Sequence, residues 1–112
     1  MTIYALSTGS GISGIAVIRV SGKNTREVIK RLTGSNLPRP RVATLKKFNK
    51  NGKKKLIDEG VILWFPAPNS YTGEDLAEFH VHGSRAVISA MHLAISKVKN
   101  CRLAEPGEFT KR

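Results

Sequence analysis

The stretch Gly9-Ser10-Gly11-Ile12-Ser13-Gly14-Ile15-Ala16-Val17-Ile18-Arg19-Val20 decides the fold class. Its glycines satisfy the Gly-x-Gly-x-x-Gly string of dinucleotide-binding proteins. That string works only between a strand and a helix, because the pyrophosphate rests on the helix N-terminus. Residues 3–6 read as the preceding strand. Residues 15–20, however, are β-branched and almost continuously apolar, the pattern of a buried strand. The glycines therefore join strand to strand, and the doubly wound nucleotide fold is rejected. Such a loop is still a place where backbone can approach a ligand closely.

Working outward, Ser21-Gly22 ends this strand. Asn24 with Glu27 three positions on reads as a capping box, opening a helix that runs to about Thr33. Val28, Ile29 and Leu32 face inward, and Gly34 is the stop. Pro38 and Pro40 mark a linker. Residues 42–48 and 56–65 flank Asn51-Gly52, a strong hairpin signal. Residues 66–75, Pro-Ala-Pro-Asn-Ser-Tyr-Thr-Gly-Glu-Asp, are irregular. Residues 76–82 alternate as a strand. Ser84 caps a helix expected to end near Asn100, with Val87, Ile88, Met91, Ala94, Ile95 and Val98 at three-and-four spacing. Residues 102–104 form a last short strand, and another helix starts at Pro106. Strands and helices interleave around a central hairpin, so the expected fold is α+β, a mixed β-sheet with two or three packed helices.

At 112 residues the chain is one domain, 1–112, able to bury about two-thirds of its unfolded surface. The lone cysteine, Cys101, excludes an internal disulfide and any multi-cysteine zinc cluster. No apolar run approaches about 18 residues, and residues 1–7 lack the features of a secretory signal, so a cytoplasmic location is expected. The net charge of +11 is lopsided. Residues 1–57 hold thirteen Lys/Arg against one acid, Glu27, whereas residues 58–112 hold six against seven. The basic half suits RNA, an acidic partner or an anionic small molecule. Only Tyr4 and Phe48 lie there as stacking platforms, so the Lys-rich hairpin reads either as a solvated surface or as one that touches nucleic acid.

A period of two places Glu78, His80 and His82 on one face of their strand, with Ala77, Phe79 and Val81 on the other. One carboxylate and two imidazoles can supply three metal ligands, so a small metal-binding domain is one alternative. A polar face lining a cleft, with Glu78 accepting from the paired N–H donors of a heterocycle, is the other. Arg19 interrupts an apolar strand. It is either an exposed strand end or an anion clamp, since a half-buried guanidinium needs a partner. No nucleophile arrangement stands out: Ser70 and Ser84 lack an elbow context, and Cys101 reads as a core thiol. There is no Gly-x-x-x-x-Gly-Lys-Ser/Thr phosphate loop.

Three stretches, residues 14–22 (Gly-Ile-Ala-Val-Ile-Arg-Val-Ser-Gly), residues 65–75 (Phe-Pro-Ala-Pro-Asn-Ser-Tyr-Thr-Gly-Glu-Asp) and residues 106–112 (Pro-Gly-Glu-Phe-Thr-Lys-Arg), resemble one family in order and spacing. It is the N-terminal domain of the tRNA-modification GTPases MnmE, also called TrmE, and the resemblance covers essentially the whole chain. It implies a fold like the tetrahydrofolate-binding domains of one-carbon enzymes, binding of 5-formyltetrahydrofolate or a related reduced folate, and homodimerisation. In the full protein, a helical domain with an inserted GTPase domain works with the flavoprotein MnmG on carbon 5 of the wobble uridine of tRNA. GTP, magnesium and potassium belong to that full-length protein, and this chain alone is not expected to hydrolyse GTP or modify tRNA.

The family's folate-binding arginine falls on Arg19 and its folate-binding glutamate on Glu78. A third contact, a lysine, falls beyond Arg112. Where the family has Gln-Gly-His-Gly this chain reads His80-Val81-His82-Gly83, so His80 and Val81 depart from the pattern. Glu78 suits the N–H edge of a pterin, and Arg19 or the basic half suits the anionic glutamate tail. The runner-up is a stand-alone basic RNA-binding module.

Overall fold

The computed structural model describes residues 1–7, 14–50 and 55–111. Six strands form one mixed sheet. In chain order they are β1 (Thr2–Leu6), β2 (Ile15–Ser21), β3 (Thr44–Asn49), β4 (Leu56–Phe65), β5 (Leu76–His82) and β6 (Cys101–Leu103). Helix α1 (Thr25–Thr33) follows β2, α2 (Arg85–Ser96) follows β5, and the short α3 (Glu108–Lys111) ends the described chain. The sheet order is β3-β4-β5-β2-β1-β6. Only β1 and β6 pair in parallel; the other neighbours are antiparallel. This is the expected α+β arrangement.

Alternation divides the sheet into two faces. Ala16, Ile18 and Val20 of β2, Ala77, Phe79 and Val81 of β5, and Ile62 and Trp64 of β4 are buried in one cluster. Val28, Ile29 and Leu32 of α1 and Met91, Ala94 and Ile95 of α2 close that cluster from the helix side. Phe48 and Phe79 meet edge-to-face there, with centroids 5.2 Å apart. On the opposite face lie Val17, Arg19, Glu78, His80, Val61 and Leu63. One end of this second face is also covered. Ser21, opposite Leu76 in the ladder, bonds Thr72 at 2.7 Å and Glu74 at 3.0 Å, so the irregular segment after β4 folds over it. Ile3 and Leu76 are accordingly buried outside the main cluster.

Three local expectations need correction. Asn24 precedes α1 but its side chain makes no cap bond. Its amide instead donates to the Lys99 carbonyl at 2.7 Å, and Glu27 accepts from Arg31 one turn on, also at 2.7 Å. Tertiary bonding has taken the capping residue. Helix α2, capped by Ser84 as expected, stops at Ser96 rather than near Asn100. Asn100 adopts a left-handed φ of 60°, which turns the chain so that its carbonyl accepts from Thr2 and β6 enters beside β1. That strand begins at Cys101, one residue early. The Asn51-Gly52 turn and most of the glycine-rich loop lie outside the described residues.

Candidate functional site

Register rather than proximity in sequence builds the site. The β2–β5 ladder sets Arg19 opposite Glu78, and the β4–β5 ladder sets Leu63 beside Glu78 and Val61 beside His80. The Arg19 guanidinium Nε donates to Glu78 Oε2 at 3.0 Å. The other carboxylate oxygen, Oε1, lies 3.0 Å from His80 Nε2. Glu78 is therefore held from both sides, its side chain 16% exposed, with Arg19 at 34% and His80 at 30%. A guanidinium and an imidazole bonded to its two oxygens keep the carboxylate in one orientation. The Arg19 guanidinium carbon also lies 5.4 Å from the centroid of the Tyr71 ring, a cation–π contact that fixes its outer side. Tyr71 belongs to the motif-bearing segment 66–75, whose sequence did not show that it would touch Arg19.

This group of side chains links two hollows on the same face. One, of about 470 Å³, is walled by Arg19, Ala5 and Leu6 on the strands and by Pro106, Gly107 and Phe109 of the C-terminal segment. The bidentate bridge from Arg102 to Glu108, at 2.8 and 2.5 Å, pins that segment to β6. The other, of about 430 Å³, is lined by Ile15, Val61, Leu63, His80 and His82 and is mostly apolar. Arg19 lines the first hollow and His80 the second. Glu78 joins them through its two bonds, not by lining either. Both volumes are in the range of small-molecule sites.

His82 does not join the group. Its backbone N–H and ring nitrogen bond Asp58 on β4 at 2.8 and 2.9 Å, and its side chain is 73% exposed. Burial works to raise the Asp58 carboxyl, but the bonds from the His82 backbone and ring outweigh it and hold the carboxyl below its ordinary value. Among the described residues no group of three side chains is arranged to hold a metal ion. Glu78 and His80 meet, but the third ligand of the metal-binding alternative is turned away. Cys101 is a free thiol, and burial pushes it up from its usual value, the opposite of an activated nucleophile. No helix among the described residues is long and apolar enough to cross a membrane.

Similarity to known proteins bears on the same chain. It is 72% identical over 111 residues to the tRNA modification GTPase MnmE of Pelagibacter ubique, covering 99% of this chain and 25% of that protein. It is 49% identical over 111 residues to the tRNA modification GTPase MnmE of Parvibaculum lavamentivorans, again 99% of this chain and 25% of the relative. It is 51% identical over 111 residues to the mitochondrial 5-taurinomethyluridine-tRNA synthase subunit GTPB3 of Danio rerio, covering 99% and 22%. The chain thus spans about a quarter of the length of these curated relatives. The family model described as "GTP-binding protein TrmE N-terminus" matches residues 2–112. The chain belongs to the family of N-terminal domains of the GTP-binding protein TrmE.

Proposed function

We propose that this domain binds a reduced folate, 5-formyltetrahydrofolate or a close relative, on the open face of its sheet and presents it as a one-carbon donor for tRNA modification. The observation that carries this reading is the Arg19–Glu78 pair, side by side on one face of the sheet with Arg19 lining the 470 Å³ hollow. An oriented carboxylate matches the adjacent N–H donors at the edge of a pterin ring. Tyr71, Leu6 and Phe109 offer flat or apolar surface for the ring's faces. Two side chains 3.0 Å apart cannot serve opposite ends of so long a ligand. Arg19 therefore works at the heterocycle end, aiming Glu78.

In this proposal the domain forms a homodimer in the cytoplasm. The remainder of the protein supplies GTP hydrolysis with magnesium and potassium, and the flavoprotein MnmG joins it in modifying carbon 5 of the wobble uridine. The names of the relatives support the tRNA part: two are tRNA modification GTPases and the third a tRNA synthase subunit for a modified uridine. Calorimetric titration of the purified chain with 5-formyltetrahydrofolate tests the ligand, with saturable binding at one site per chain expected. No heat at millimolar ligand would reject it. Light scattering tests the dimer, and a monomer at high concentration would reject that part.

A further inference from the structure

On the far side of the sheet from Arg19 and Glu78, α1 and the turn after α2 enclose an open hollow of about 440 Å³. Five cations line it, Lys23, Arg26, Lys30, Arg31 and Lys99, against a single carboxylate, Glu27. Glu27 is taken by Arg31, and Arg26 by Asp75 at 3.1 Å. Lys23, Lys30 and Lys99 are exposed, and among the described residues no carboxylate forms an ion pair with them. The bond from the Asn24 amide to the Lys99 carbonyl holds the two walls together. That bond also explains why Asn24 is not used as a cap.

We propose that this hollow is an RNA-backbone site, through which the domain itself grips the phosphodiester chain of tRNA. The proposal rests on the reading above for its substrate and adds a contact surface separate from the open face. Charge complementarity selects the occupant. Lys23 lies just before α1 and Lys30 in its second turn, so the two are offset along the trough, and Lys99 faces them from the other wall. Cations spread along an open trough match a polymer carrying one charge per unit. A small anion would need convergent buried donors instead, and none line this hollow. Because α1 packs on the opposite face from Glu78, folate and tRNA can bind together.

Fluorescence anisotropy of a labelled, unmodified tRNA transcript with the purified chain, between 50 and 200 mM salt, tests this. The wild-type chain is expected to bind with a steep linear fall of log affinity against log salt. The combined variant Lys23→Gln, Lys30→Gln, Lys99→Gln is expected to bind at least tenfold more weakly at 50 mM salt, with a slope shallower by about 2 to 3. A charge-matched control, Lys47→Gln, Lys50→Gln, Lys55→Gln on β3 and its hairpin, is expected to lose less than threefold. Equal losses in the two variants would reduce the effect to net charge and overturn the site, as would absence of salt-dependent binding by the wild type. Polyglutamate binding as tightly as tRNA would also overturn it, pointing to an acidic protein instead. Affinity of the α1 variant for 5-formyltetrahydrofolate should equal wild type, so a failed folate titration strikes the folate reading and a failed tRNA titration strikes this one.

Discussion

Arg19 on β2 and Glu78 on β5 stand directly opposite each other in an antiparallel ladder, and the guanidinium Nε lies 3.0 Å from the carboxylate Oε2. Fifty-nine residues separate them in sequence. The pair joins the two central strands and at the same time sets the geometry of the proposed site. Arg19→Ala leaves a half-buried carboxylate short of a charged donor, which should cost about 1–3 kcal/mol in urea unfolding. Arg19→Ala combined with Glu78→Ala should cost less than the sum of the single changes by more than about 0.5 kcal/mol. Strict additivity would show that the two side chains do not interact.

Gly60 on β4 marks where that strand presses most closely on β5. A Cβ there would sit 2.0 Å from the His80 carbonyl oxygen, a backbone atom with no room to give. Gly60→Ala should destabilise the fold by about 1–3 kcal/mol and disturb the His80 side of the site. At Gly14 an added Cβ meets nothing within 4 Å, so Gly14→Ala should stay within about 0.5 kcal/mol of wild type. Equal melting temperatures for the two variants would mean that the strands do not approach as described.

His92 on α2 packs edge-on against Tyr4, ring centroids 5.4 Å apart, and its Nε2 is buried without a hydrogen-bond partner among the described residues. Burial lowers its pKa, so the folded protein keeps the ring neutral. The unfolded chain takes up a proton below about pH 6.5. Stability from this residue is therefore present above about pH 6.5 and is lost as the pH falls below it. Urea midpoints measured from pH 7.5 to 5 should decline, and His92→Leu should flatten the decline. An unchanged slope in the variant would assign the acid sensitivity to other groups.

The two helix starts give a paired test of capping. Ser84 Oγ accepts from the Val87 N–H at 3.1 Å, so Ser84→Ala should cost about 1 kcal/mol through α2 alone. Asn24→Ala removes a tie between α1 and Lys99 instead, and should loosen hydrogen exchange near Lys99 as well as in α1. Protection lost only within α1 would restore the simple capping role.

Periodicity made most of the elements legible. The bounds of β5 follow from its alternation and those of β4 from its place beside the Asn51-Gly52 pair, and Gly34, in a left-handed conformation, stops α1 as its position suggests. Strand order was not legible. Inserting β5 between β2 and β4, and β6 alongside β1 in parallel, depends on long-range packing that no local pattern encodes. The same limit applies to the site. Period two put Glu78 and His80 on one face, but only cross-strand register brings Arg19 onto Glu78 and diverts His82 to Asp58. Tyr71 sits in an irregular segment with no period from which its approach to Arg19 could be read.

The most direct test of the central claim compares 5-formyltetrahydrofolate binding to wild type and to Glu78→Gln by titration calorimetry, with circular dichroism confirming that both are folded. Glu78→Gln keeps the shape but removes the carboxylate that, in the proposed site, meets the ligand's N–H donors. Hydrogen bonds to a charged group contribute about 1.5–3 kcal/mol, so binding should weaken by about 10- to 150-fold. A wild-type chain with no saturable binding, or a Glu78→Gln variant that binds as tightly as wild type, would contradict the account.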